Sequence, residues 1–420
     1  MTGAASQQAD STMGPMIIIG LLFFIFGFVT WLNGPLITFV KLAFELDDVN
    51  AFLVPMAFYL SYFFLALPSS AVLRATGMKR GMALGLFIMA CGAVLFGHFT
   101  TARIYGGALV GLFVIGSGLA LLQTAANPYV SILGPIASAA RRIAFMGVCN
   151  KFAGLLAPLV FGALVLSGLD EFAGRVSAAP TPEVRAELLD AFAAQVYSPY
   201  MLMAALLACL ALYILKSSLP DVDPGASNAQ LQLSDESKSI LAYPHLWLGV
   251  VAIFAYVGIE VLAADAIGVY GEGFGLPLSD TRLFTSYTLA AMLLGYLAGL
   301  AAIPAYISQE RYLALSAALG VLLCLGALAT SGPVSVAFIA ALGFANAMMW
   351  PAIFPLAIRG LGRHTETGSA LLVMAIAGGA IIPWIFAILK QQIDFQLAYV
   401  ALAVPSYLYL LFFGLRGHRI

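Results

Sequence analysis

Twelve stretches of about twenty apolar residues follow one another along this 420-residue chain, and roughly 20 such residues are what a helix needs to cross the hydrocarbon of a bilayer. They fall near 15–41, 50–73, 81–100, 104–131, 143–167, 199–216, 245–271, 282–304, 312–330, 333–358, 368–389 and 395–415; these are spans 1 to 12. Only 9% of the residues are charged and 62% are of the AVILMFWYC set, whereas soluble domains average roughly 25% charged. Hydrocarbon offers no water to satisfy backbone N–H and C=O groups, so runs of this length close their hydrogen bonds internally as helices. Barrel strands would alternate apolar and polar residues, and these runs do not. The expected class is therefore all-α integral membrane, with twelve transmembrane helices. Residues 15–41 lead into aromatic and Asn-Gly-Pro sequence with no cleavage-like end, and read as a retained helix rather than a signal peptide.

Basic residues orient such a bundle. With the N-terminus inside, the inner segments hold twelve of them, including Arg74, Lys79, Arg80, Arg141, Arg142 and Lys216. The outer segments hold six: Lys41, Arg103, Arg175, Arg185, Arg282 and Lys390. Both termini are thus expected in the cytoplasm. Residues 168–198 form an outer loop in which Thr181-Pro182 marks a helix start, with a short surface helix from Glu183 to Val196. Residues 217–244 have linker composition and divide an N-terminal six-helix half, 1–216, from a C-terminal one, 245–420. The halves repeat each other. Asn127-Pro128 answers to Trp350-Pro351, Ala157-Pro158 to Ile382-Pro383, and Lys79-Arg80 to Glu310-Arg311. Parallel duplicated halves joined by a linker resemble the major-facilitator architecture, whose substrate site lies between them at the midplane.

Three ionisable residues stand inside otherwise apolar helices: Lys151, Glu260 and Asp265. A charge at a helix centre costs at least about 2.5–3.5 kcal/mol to insert, so such residues face a cavity or a partner and mark a pathway. Lys151 is expected roughly 12 Å deep, about eight residues at ~1.5 Å each, beyond easy snorkelling. Around it the sequence offers Thr30, Asn33 and Gly34 on one face of span 1, and Gln123 and Asn127 on span 4. Asn150 joins Lys151 on span 5, Tyr256 joins Glu260 on span 7, and Asn346 and Trp350 lie on span 10. Amides and carboxylates around aromatic platforms suit a polyol: they exchange hydrogen bonds with hydroxyls while rings cover the apolar face of a pyranose. Each amide has a competing reading as interhelical glue, and Lys151 has one as half of a structural ion pair with Glu260 or Asp265. The turn carrying Arg74, Lys79 and Arg80 is a candidate inner gate, with topogenic charge as its alternative. Cys91, Cys149, Cys209 and Cys324 fall within helices as packing residues. No Cys/His cluster, phosphate-cradling loop or nucleophile turn occurs, so neither an enzyme, ATP-driven transport nor a cofactor is expected.

Four motifs carry a resemblance to a known family. They are Phe23-Phe24-Ile25-Phe26-Gly27-Phe28 with Leu32-Asn33; Gln123-Thr124-Ala125-Ala126-Asn127-Pro128-Tyr129-Val130; Leu133-Gly134-Pro135; and the run from Gly368 to Pro383. Together the chain resembles the fucose:proton symporter family of major facilitators, most closely its glucose/galactose and N-acetylglucosamine permease branch. That resemblance implies a monomeric permease of the bacterial inner membrane, importing a hexose or N-acetylglucosamine by alternating access, with no nucleic acid partner. It also exposes departures. Where the fucose symporters carry an Asp after the Leu-Asn of span 1 and a Glu in span 4, both associated with proton coupling, this chain has Gly34 and Gln123. The family's Asn-Ser in span 5 becomes Asn150-Lys151. The resemblance makes Gln123 and Asn150 sugar contacts, and a coupling cation (proton or sodium) would act through Lys151 with Glu260 or Asp265. The alternatives are facilitated diffusion, an exporter of amphipathic compounds with a Phe/Met-lined cavity, and a transporter-like sensor.

Overall fold

The computed structural model describes residues 2–132, 139–217, 219, 239–303 and 305–420. Among the described residues, twelve helices are long and apolar enough to cross a membrane: Gly14–Ala43, Asp48–Thr76, Met78–Thr101, Tyr105–Ala126, Arg142–Leu164, Pro182–Lys216, Pro244–Asp265, Leu278–Ala302, Gln309–Ala329, Gly332–Ala357, Thr367–Leu389 and Phe395–Arg419. The even number of crossings puts both termini at one end of the bundle. Most of the 217–244 segment, the Leu133-Gly134-Pro135 motif and the Asn127 side chain lie outside the described residues. Between spans 5 and 6 the Thr181 hydroxyl accepts from the Val184 amide and caps the helix Pro182–Ala194. A second short helix there, Leu169–Ser177, was not expected. It buries Leu169, Phe172 and Val176, and Phe172 stacks on Phe192 at 4.6 Å.

The two halves pack alike. Span 3 lies against spans 4 and 6, span 2 against span 4 and span 1 against span 5. In the second half span 9 lies against 10 and 12, span 8 against 10 and span 7 against 11. The halves meet through spans 2 and 11 and through spans 5 and 8. One crossing carries the duplication down to single residues. A Cβ on Gly27 would overlap the Asn150 carbonyl between spans 1 and 5, and one on Gly378 would overlap the Phe254 carbonyl between spans 7 and 11. Gly27 and Phe254 are 227 residues apart and Asn150 and Gly378 are 228 apart, so the same contact recurs with the glycine on opposite partners. Small residues let membrane helices approach this closely. Replacing Gly27 by valine forces spans 1 and 5 apart at a cost of about 1–3 kcal/mol, the usual penalty for overpacking. A thermal-unfolding midpoint several degrees lower is expected for the purified protein. Gly14→Val, with nothing within 4 Å, serves as the unchanged control.

The spans that surround the midplane are interrupted. Span 1 breaks at Trp31-Leu32 and resumes as Asn33–Ala43; Pro35 has no N–H for the Trp31 carbonyl four residues earlier. Span 7 stops at Asp265 and restarts as Ile267–Glu272. Span 10 breaks between Asn346 and Met349, four residues or so ahead of Pro351. Span 11 tightens into a 3₁₀ turn at Ala375–Ala377. Irregular backbone at membrane depth is tolerated where it is buried in protein or lines a cavity.

Candidate functional site

These breaks surround a cavity of about 140 Å³ between the halves, roughly ten times the space that one water requires. Residues of spans 1, 2, 4, 5, 7, 8, 10 and 11 line it. The lining from spans 4, 5, 8 and 10 comes from the terminus-side half of each helix: Gln123, Ile143, Tyr296 and Trp350. The cavity is therefore displaced toward the end that bears the termini.

Lys151 is its electrostatic centre. The side chain is 6% exposed, and Nζ lies 2.9 Å from Glu260 Oε1 across the interface between the halves. The same ammonium stands 4.4 Å from the centroid of the Trp31 ring, whose negative π-face attracts it. Gly154 lets the indole lie against span 5, since any Cβ there would meet the ring. Lys151 and Glu260 are thus brought together as a buried pair that joins the two halves. Such a pair is costly to break because it would leave one charge without a counter-ion.

The other anticipated residues divide. Gln123, Asn150 and Trp350 line the cavity. Gln123 Nε2 donates to the Tyr62 hydroxyl at 3.1 Å, and Asn150 Nδ2 reaches the Phe23 carbonyl at 3.3 Å. Asn33 and Asn346, expected as solute contacts, lie outside its lining. The break in span 1 frees carbonyls, and Asn33 Nδ2 answers that of Thr30 at 3.0 Å, leaving the residue 1% exposed. Asn346 is fully buried and accepts from the Tyr407 hydroxyl at 2.8 Å, tying span 10 to span 12. Asp265 lies beyond the lining and is 2% exposed. Arg74 and Arg80 are exposed at the terminus end, and Lys79 donates to the carbonyl of Ser217, the first linker residue, at 2.6 Å. Tyr59 and Tyr62 on span 2 and Tyr296 on span 8 line the cavity without having been anticipated. Their signal was faint: two tyrosines three apart on one helix face, and a ring packed on Gly147.

At the opposite end the halves are closed on each other by charge. Lys41 of span 1 binds Glu272 at 2.6 Å and Asp48 at 2.7 Å, and Lys390 of span 11 binds Asp48 at 2.5 Å. Beside this network Asp170 accepts from the backbone N–H groups of Leu278 and Ser279 at 3.0 and 3.3 Å. Arg282 donates to the Gly162 and Leu166 carbonyls. Every one of these contacts except Lys41–Asp48 joins one half to the other. A second cavity, of about 260 Å³ between spans 1, 5 and 6, is lined almost wholly by apolar side chains such as Ile25, Phe161 and Leu206 and has no group to orient a polar solute.

The sequence matches the profile of the Major Facilitator Superfamily over residues 19–383. The chain is 36% identical over 407 residues to the "Glucose/galactose transporter" of Brucella abortus biovar 1 (strain 9-941), covering 95% of this chain and 93% of that protein. It is 30% identical over 380 residues to the "L-fucose-proton symporter" of Escherichia coli (strain K12), covering 89% and 86%. Among solved structures it is similar to the crystal structure of FucP, described as a Major Facilitator Superfamily transporter in the outward conformation. That match has a TM-score of 0.76 and 26% identity, over 96% of this chain and 98% of that one. Twelve spans in two like-packed halves, a polar chamber at their interface and a profile match over most of its length place the chain in one family: it belongs to the Major Facilitator Superfamily.

Proposed function

We propose that the chain imports a monosaccharide of the glucose/galactose type by alternating access, coupled to the movement of a cation, with the terminus end facing the cytoplasm of a bacterial cell. The observation that carries this reading is the chamber between the halves. Its wall combines amides (Gln123, Asn150), tyrosine hydroxyls and indole rings with the Lys151–Glu260 pair. Ring hydroxyls of a sugar find donors and acceptors on that wall, and Trp350 offers a flat face for the apolar side of a pyranose. An exporter of amphipathic compounds would call for a chamber lined mainly by Phe and Met; Phe23 and Phe26 line this one, but they share the wall with two amides and a buried ion pair. The names of the relatives support a sugar as cargo. The excess of basic residues at the terminus end supports the orientation, which makes the charged closure at 41, 48, 272 and 390 the external one.

Facilitated diffusion would need no ionisable group in the membrane, whereas three are buried beside the chamber. The test is counterflow in liposomes that hold the purified protein, with labelled glucose and galactose and a competition panel of mannose, fucose and N-acetylglucosamine. Saturable exchange of a hexose, blocked by a subset of the panel, is expected. Should none of these sugars exchange, the reading is wrong.

A further inference from the structure

Asp265 ends the span 7 helix about 7.5 Å beyond Glu260, five residues at ~1.5 Å each, between the chamber and the charged closure. It is 2% exposed. The Gly34 amide approaches its carboxylate, yet neither oxygen accepts a hydrogen bond of normal geometry. The charged groups that face it are Glu260 on its own helix and Lys151 from span 5; from span 2 comes the Tyr59 phenol, which the Asn33 side chain approaches. The nearby Thr285 hydroxyl of span 8 is committed to the Ala264 carbonyl at 2.7 Å. The cluster thus holds two carboxyl groups and one ammonium, and that ammonium is already bound to Glu260 at 2.9 Å. A second buried carboxylate without a counter-ion carries a desolvation penalty that a neutral acid escapes.

Span 1 is shaped around this group. A Cβ on Gly34 would stand 2.5 Å from Thr285 Oγ1, 3.2 Å from Asp265 Oδ1 and 3.3 Å from Asp265 Cα. Position 34 is bare where the carboxyl of span 7 needs room. We infer that Asp265 is the residue that carries the co-transported proton, held as a neutral acid while the end beyond it is closed. When the chamber is open toward the termini, the O–H bond breaks, the proton passes to chamber water, and the carboxylate left behind competes with Glu260 for the Lys151 ammonium. When the charged closure parts, Asp265 is the first ionisable group below it and is reprotonated from that side. Sugar binding at the chamber and proton binding at Asp265 are then two sites linked through the Lys151–Glu260 pair.

This inference rests on the proposed sugar transport, and two assays separate them. Counterflow reports sugar exchange; uphill accumulation of the same sugar on an imposed proton gradient reports coupling. The wild type is expected to do both. Asp265→Asn is expected to keep counterflow and to lose accumulation and sugar-induced proton movement. Accumulation on the proton gradient by Asp265→Asn overturns the inference, as does a wild type that accumulates sugar only on a sodium gradient or on neither. A wild type without counterflow overturns both readings. If Asp265→Asn shows no counterflow, Asp265→Glu decides. A carboxyl one methylene longer is expected to keep accumulation with a displaced pH profile, and an unchanged profile or lost accumulation overturns the assignment.

Discussion

Lys151→Ala abolishes sugar transport, with uptake reduced at least about a hundredfold. The reasoning starts from Glu260, which is 7% exposed and has the Lys151 amine as its only ion-pair partner among the described residues. Removing that amine leaves a buried carboxylate uncompensated, a loss of about 3–5 kcal/mol, or roughly two to three and a half powers of ten in any equilibrium that needs the paired state. The chamber also loses its one cationic donor and the charge held over Trp31. Stability and transport are separable here. The double substitution Lys151→Met with Glu260→Gln removes both charges, so its thermal midpoint is expected to recover toward wild type while uptake stays absent. Uptake assays in liposomes alongside thermal unfolding of the same preparations check this. Wild-type uptake by Lys151→Ala would show that the pair has no part in transport.

Much of this was legible in the sequence, for physical reasons that differ from residue to residue. The twelve spans were plain because hydrocarbon thickness and backbone hydrogen bonding leave little else for such runs to become. Lys151 and Glu260 were plain because a charge among apolar residues has few tolerable places. The amides were harder. Gln123 and Asn33 look alike in sequence, but Asn33 stands beside the break in span 1 and is taken up by a freed carbonyl, which depends on where the helix breaks. Asn346 was lost to Tyr407, a partner 61 residues away. Tyr59, Tyr62 and Tyr296 carry no local signal because tyrosines are ordinary in membrane helices, and only the packing of the halves shows which of them face inward. By sequence alone Lys41 and Lys390 read as orienting charges. Their partners Glu272 and Asp48 are 231 and 342 residues away along the chain, a pairing that no local pattern announces.

That network supports the second large effect, which Asp48→Asn will reveal. Asp48 holds Lys41 and Lys390 at once, so neutralising it removes two contacts and leaves Lys390 without its carboxylate while Lys41 keeps Glu272. Isolated surface pairs contribute little, but these side chains are only 15–29% exposed, and Lys390–Asp48 is one of the two pairs that join the halves, the other being Lys41–Glu272. Its loss, with that of the anion that orients Lys41, is expected to tilt the balance toward the state open at this end by about 1–3 kcal/mol, a roughly 5–150-fold change in population. Leu36, 1% exposed within span 1, reports the change as a single cysteine in a background without the four native ones. An impermeant thiol reagent applied from the external side is expected to label it much faster in Asp48→Asn than in wild type. Glu45→Gln is the control, because Glu45 pairs with Arg103 and Arg185 inside the first half and its loss touches no contact between halves. Reversing all four charges together, at 41, 48, 272 and 390, rebuilds every pair with opposite sign and is expected to return labelling toward wild type. Equal labelling in wild type and Asp48→Asn would mean that these ions decorate a closure made by packing alone.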